Sequence, residues 1–219
     1  MDIVLYPIFA LVVIVFFLVR AEIRGLRRQI YILKPIATLL VICIALLSFT
    51  RPIPNPAYLT GILIGLVFSL GGDLALMFPQ NRKAFMIGLA LFLLAHVAYT
   101  VVFVLVGSLS AWDLLSAVVL LAVGAAFYRL IQPNLGAMRM PVLLYMVIIS
   151  LMVNRAVSTL ASPQVGLSQA LLIVVGAILF YISDLILAAG RFWKPWKYHR
   201  ISLAFYYAGQ LLIALSAVV

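Results

Sequence analysis

Only five of the 219 residues are acidic, and their positions separate them into two classes. Asp2, Glu22 and Asp113 fall between or at the ends of apolar runs, whereas Asp73 and Asp184 lie inside such runs. An ionisable residue at membrane depth costs about 2.5–3.5 kcal/mol on insertion scales, so it marks a functional site by default. Each of these two aspartates sits about one turn from the same end of its run, roughly 5–8 Å deep at the helical rise per residue. If the third and seventh runs are neighbours, the two carboxyl groups, at matching depth, could meet. The competing reading is structural. Asp73 and Asp184 would pair with Lys34 or Arg129 near the interface, since ion-pair networks also hold buried carboxylates.

Other polar side chains occur at similar depth. Gly61, Gly65, Ser69 and Asp73 recur every four residues, a stripe of small residues ending in a carboxylate, and small residues let helix backbones approach closely. His96 lies mid-run with Tyr99 one turn on. It is either a wall of the site or a neutral histidine bonded to a neighbour. Lys34, at the mouth of its run, either meets a lipid phosphate or snorkels as a topology residue. Tyr206, Tyr207 and Gln210 form a polar patch in the last run, and a deep glutamine needs a partner. Asn154 and Arg155 sit in the sixth run with no role assigned. Zinc chemistry is disfavoured, because a catalytic site takes three protein ligands and only His96 and His199 are available. No metal and no organic cofactor is expected.

The elements that must position these groups are membrane helices. The chain is 67% hydrophobic and 9% charged, against roughly 45–50% and about 25% for soluble domains, so lipid has to be its solvent. Apolar runs at about 3–19, 31–50, 58–77, 84–106, 112–131, 140–160, 168–189 and 201–218 predict eight transmembrane helices in an all-α polytopic bundle. They make residues 1–219 a single transmembrane domain. Proline-rich and basic segments separate them, among them 51–56, 79–83 and 190–200. The first run is preceded by Asp2 and followed by Arg20 and Arg24, which reads as a retained helix rather than a signal peptide.

The formal charge of +10 belongs to helix ends, not to a nucleic-acid-binding stripe. Of the 15 Lys and Arg residues, 13 fall in alternate loops on one side, and only Arg51 and Arg155 on the other. By the positive-inside rule both termini lie outside the cytoplasm, in a bacterial inner membrane. Cys43 is the lone cysteine, so no intrachain disulfide forms.

A weak repeat runs through the chain. Aligned on Asp73 and Asp184, a glycine eight positions before (Gly65, Gly176) and leucines one and three after coincide. That makes helices three and seven equivalent and the bundle a possible four-plus-four repeat with parallel halves.

The chain resembles the YhhN family of membrane proteins, whose characterised members are lysoplasmalogenases. The resemblance is carried in order by Lys34-Pro35, by Phe68-Ser69-Leu70-Gly71-Gly72-Asp73 and by Gly88 to Tyr99 with His96. It continues through Gly176 to Asp184 and then Tyr206-Tyr207-Ala208-Gly209-Gln210-Leu211-Leu212-Ile213. It implies hydrolysis of the vinyl ether bond of a 1-alkenyl lysophospholipid to a fatty aldehyde and a glycerophospho-base. Asp73 and Asp184 are the expected acid–base pair. Lys34, Ser69, His96, Tyr99, Tyr207 and Gln210 are expected to line or support their cavity. The expected partners are the lysophospholipid and membrane lipid; protein partners are not indicated. Two other classes use the same residues: a proton-coupled small-molecule transporter with a carboxylate relay, and a non-catalytic lipid-binding protein.

Overall fold

The structure is a computed structural model and describes residues 2–50, 55–78, 80–194 and 199–218. The topology residues Arg51 and Lys197 lie outside the described residues. Eight α-helices follow in order: α1 (Asp2–Arg24), α2 (Arg27–Leu46), α3 (Pro56–Leu76), α4 (Arg82–Val106), α5 (Ala111–Ile131), α6 (Arg139–Ser158), α7 (Leu167–Phe192) and α8 (Ser202–Leu215). The first seven are long and apolar enough to cross a bilayer.

The eighth departs from the expected 201–218 span. Its α-helical part has 14 residues, roughly 21 Å at the helical rise and short of the ~30 Å hydrocarbon core. A 3₁₀ turn at His199–Ile201 precedes it and a turn at 216–218 follows. None of residues 202–218 is exposed. With these ends the described segment runs from 199 to 218, packed among its neighbours. In α5, by contrast, only Asp113 and Ile131 are buried.

Helix starts are set by side chains the loops supply. Asn55 accepts from the Tyr58 backbone N–H at 3.0 Å, with Pro56 just inside α3. Asn81 accepts from the backbone of Lys83 and Ala84 at 2.9 and 3.2 Å. Both satisfy amide groups that a first turn leaves without partners.

The small-residue stripe of α3 packs on α4. A Cβ on Gly61 would lie 1.9 Å from a Val102 methyl, and one on Gly65 would lie 2.2 Å from the Tyr99 ring. The corresponding contact in the second half is α7 on α8. There a Cβ on Gly176 would meet the Gly209 carbonyl at 2.9 Å, and one on Gly209 the Gly176 carbonyl at 2.7 Å. Helices α3 and α7 do not form a packed pair, because the glycines draw α4 and α8 onto them.

The packing follows the repeat. In the first half α2 packs on α3, α3 on α4 and α4 on α6; in the second, α6 packs on α7, α7 on α8 and α8 on α2. Exchanging the halves maps these six contacts onto one another, whereas α1 on α8 and α5 on α7 break the symmetry. The 111 positions from Asp73 to Asp184 also relate Lys34 to Tyr145, His96 to Tyr207 and Tyr99 to Gln210.

Candidate active site

A cavity of about 260 Å³ opens at the end of the bundle where the basic segments lie, and both membrane-depth aspartates line it. Helix α3 brings Asp73 and α7 brings Asp184, each near the C-terminal end of its helix. The apolar walls come from Leu89 and Phe92 of α4 and from Val142, Met146 and Ile149 of α6.

Asp73 is 2% exposed and carries three donors. Thr38 and Tyr206 each donate a hydroxyl to Oδ2 at 2.7 Å, and Lys34 Nζ stands 3.3 Å from Oδ1. The Lys34 chain is itself buried, at 6% exposure, so it neither snorkels nor stands free at the mouth. Lys34 is fourth from the Asp73 end of a relay: its backbone carbonyl accepts from the Tyr207 hydroxyl at 3.1 Å, and that hydroxyl is 3.2 Å from Thr38 Oγ1. One of the two structural pairings open to Asp73 is therefore present, although its ammonium faces the cavity as well.

Asp184 has different surroundings. Its side chain is 16% exposed, and Oδ2 accepts the Tyr145 hydroxyl at 2.5 Å. His96 is wholly buried, with Nε2 3.9 Å from Asp184 Oδ2. The imidazole ring is wedged edge-on between Tyr145 and Phe180, at 5.2 and 4.7 Å between centroids, and among the described residues no side chain hydrogen-bonds to either ring nitrogen.

Of the six residues expected around the carboxylates, only Lys34 lines the cavity. Ser69, His96, Tyr99, Tyr207 and Gln210 are buried behind it. Tyr99 donates to Gln210 Oε1 at 2.8 Å, with Ser69 beside it, and Gln210 Nε2 reaches the Tyr206 hydroxyl at 3.4 Å. The deep glutamine thus has its partners, and this layer braces Tyr206 against Asp73. Depth explains the difference: Leu89, Phe92, His96 and Tyr99 follow one another along one side of α4, the first two reach the cavity, and His96 and Tyr99 lie further along the helix, packed against Tyr145, Phe180 and Gln210.

Three residues that touch the carboxylates were not among the expected site residues: Thr38, Tyr145 and Tyr206. Thr38 is one turn beyond Lys34, on the same side of α2. Tyr145 is the repeat partner of Lys34, so the 111-residue offset points to it. Tyr206 was visible only as part of a polar patch.

Arg155, without a role in the sequence, forms an ion pair with Asp113 at 2.8 Å, and Asn154 Nδ2 donates to the Asp113 carbonyl at 2.8 Å. These contacts join α5 to α6 at the end of the bundle away from the cavity.

The sequence model of the YhhN family matches residues 29–217. The chain is 35% identical over 164 residues to lysoplasmalogenase TMEM86A of Bos taurus, a match covering 73% of this chain and 65% of the relative. It is 31% identical over 201 residues to the uncharacterized membrane protein YhhN of Escherichia coli O6:H1, covering 90% and 91%. A third relative, lysoplasmalogenase TMEM86B of Homo sapiens, is 33% identical over 165 residues, or 75% and 66%. The chain thus spans just under two thirds of the lysoplasmalogenases it matches. No solved structure matches it.

Proposed function

The chain belongs to the YhhN family, and we propose that it hydrolyses the vinyl ether bond of 1-alkenyl lysophospholipids with Asp184 and Asp73 as the acid–base pair. The observation that carries this reading is the presence of both carboxyl groups in the lining of one cavity, each held by different donors. The similarity to proteins named lysoplasmalogenase supports the substrate class.

The donors suggest the division of labour. Three donors, one an ammonium, converge on Asp73 and suit a carboxylate. Asp184 receives one hydroxyl, on Oδ2, so Oδ1 is left to carry the proton. In the reaction, Asp184 protonates the outer alkene carbon, and the adjacent carbon becomes an oxocarbenium ion conjugated with the ether oxygen. The Asp73 carboxylate stabilises that cation across the cavity and takes a proton from the incoming water. The resulting hemiacetal collapses: its hydroxyl proton leaves, the glycerol oxygen is protonated, and the C–O bond breaks to free the aldehyde. One water is consumed and both carboxyl groups return to their starting states. Apolar walls strengthen these electrostatic interactions by excluding water.

The cavity's position also favours a lipid substrate. A lysolipid in the leaflet at the basic end has its sn-1 linkage just beneath the headgroup, near the depth of Asp184. We place that end in the cytoplasm and both termini outside, in a bacterial inner membrane, on the distribution of Lys and Arg.

Purified protein given a 1-alkenyl lysophospholipid should release stoichiometric aldehyde. Binding without aldehyde release would instead make the protein a lipid-binding one, and movement of a solute across sealed vesicles without hydrolysis would make it a transporter.

A further inference from the structure

Three basic side chains line the cavity: Lys34, Arg191 and Arg200. Two are engaged by acids. Lys34 is paired with Asp73, and Arg200 Nε lies 3.4 Å from Glu22 Oε2. Among the described residues, Arg191 has no acidic partner and makes no hydrogen bond through its side chain. Its guanidinium carbon lies 3.8 Å above the centre of the Phe85 ring, with the Phe192 ring 5.9 Å away. Phe85 comes from α4 and also lines the cavity, so two helices hold the guanidinium at the mouth.

Stacking covers one face of a guanidinium and leaves its N–H groups in the plane of the fork. That fork matches two oxygens of a phosphate ester. The position fits as well. Arg191 follows Asp184 by seven residues, two turns of α7, which returns it to the same side of the helix roughly 10 Å nearer the end. In a lysolipid, the phosphorus is five bonds from the enol ether oxygen, roughly 6–8 Å at about 1.5 Å per bond. The phosphate oxygens and a charge-assisted hydrogen bond of about 2.8 Å cover what remains.

We propose that Arg191 binds the substrate's phosphate and makes the cavity selective for phosphate-bearing alkenyl lipids over neutral ones. The assignment rests on the hydrolytic reading above. It replaces Lys34 as the phosphate partner, because Lys34 is committed to Asp73. A phosphate ester at this mouth has two sources, the substrate or a bystander phospholipid of the bilayer, and the proposal commits to the substrate.

The test compares wild type, Arg191→Gln and Arg191→Lys in detergent micelles free of phospholipid. Each is given a 1-alkenyl lysophospholipid and a 1-alkenylglycerol, which has the same scissile bond and no phosphate. Wild type should prefer the phosphate-bearing substrate. Arg191→Gln should shrink that preference, read as the ratio of KM values, by roughly ten- to hundredfold, the worth of a charged hydrogen bond. Its kcat on the lysophospholipid should stay near wild type, and Arg191→Lys should restore part of the preference. Equal losses on both substrates, or an unchanged ratio, would overturn the proposal. So would a loss confined to phospholipid vesicles, which assigns the anion to the bilayer.

A saturated 1-alkyl lysophospholipid provides a readout independent of turnover, since it has no alkene to protonate. Arg191→Gln should weaken its binding by a similar factor, and an unchanged Kd overturns the phosphate site. If wild type releases no aldehyde while the Kd shift is present, the hydrolytic reading fails and the phosphate site stands.

Discussion

Tyr145 donates its hydroxyl to Asp184 Oδ2 at 2.5 Å, across the contact between α6 and α7. In the first half, Lys34 of α2 meets Asp73 of α3 at the equivalent positions. A phenol in one half and an ammonium in the other make two related sites unequal. The ammonium favours charge on Asp73, while the phenol fixes the geometry of Asp184 without neutralising it.

If Tyr145 fixes which oxygen of Asp184 carries the proton, the two residues act as a unit. Asp184→Asn should lower kcat by about 10²–10⁴-fold, the usual worth of a general acid. Tyr145→Phe should lower it by roughly tenfold or more with little change in KM. The double variant should be no slower than Asp184→Asn alone, since groups acting together lose rate non-additively. Multiplying losses, measured by aldehyde release, would separate Tyr145 from the proton transfer.

The Lys34–Asp73 pair is buried on both sides, so removing one partner strands the other. Lys34→Met should destabilise the protein by about 3–5 kcal/mol, the scale for an uncompensated buried charge. Asp73→Asn added to Lys34→Met should recover much of that stability, because both charges are gone. Activity should remain at least 10²-fold down, because the carboxylate is gone too. Thermal or denaturant unfolding in detergent reads the first effect, and aldehyde release the second. Recovery of activity in the double variant would remove Asp73 from the chemistry.

The helices, the two aspartates and the repeat were legible because each leaves a mark in composition or spacing: long apolar runs, charges where charge is costly, and a common offset. The neighbours of the aspartates were less legible. Ser69, Asp73 and the two glycines share a stripe, but a stripe does not name the helix it meets, and α4 rather than α7 packs there. His96 and Tyr99 share a side of α4 with the cavity-lining Phe92, but they lie one and two turns beyond it, and both are buried behind the cavity. Thr38 and Tyr145 sit in apolar runs where a single hydroxyl is unremarkable, and only the fold shows that each points at a carboxylate. The α-helical part of the last run is shorter than its apolar stretch because the ends at 199–201 and 216–218 are 3₁₀ helix and turn, which composition does not distinguish from α-helix.

The Asp113–Arg155 pair stands apart from the cavity and ties α5 to the bundle through few buried contacts. Arg155→Ala should lower the unfolding temperature, and Asp113→Asn with Arg155→Gln should lower it less than the single change, since no lone charge is left. The kcat of each folded variant should stay within about twofold of wild type, whereas losses at the proposed acid–base pair should exceed about 10²-fold. A selective loss of turnover with unchanged unfolding would connect this end of the bundle to the reaction.

The last prediction follows from the cavity's size. Its volume of about 260 Å³ is below the ~300–1,000 Å³ of pockets that enclose a drug-sized ligand. On the proposed reading a lysolipid with a long alkenyl chain exceeds this volume, so the cavity should take the glycerol linkage and the first carbons while the rest of the chain stays in the bilayer. Hydrocarbon in a bilayer and hydrocarbon against Leu89 or Met146 are in similar solvents, so lengthening the chain adds little binding energy at the protein. With substrate expressed as mole fraction in the membrane, kcat/KM should vary by less than about threefold from 12 to 18 carbons, against the roughly fourfold per CH₂ that full transfer from water would give. Methyl branches next to the vinyl ether should instead cost tenfold or more, because those carbons must sit beside Asp184 in a cavity walled by Tyr145 and Ile149. A sharp optimum in chain length at fixed mole fraction would mean that the protein encloses the tail, and with it that the cavity extends well beyond the walls described above.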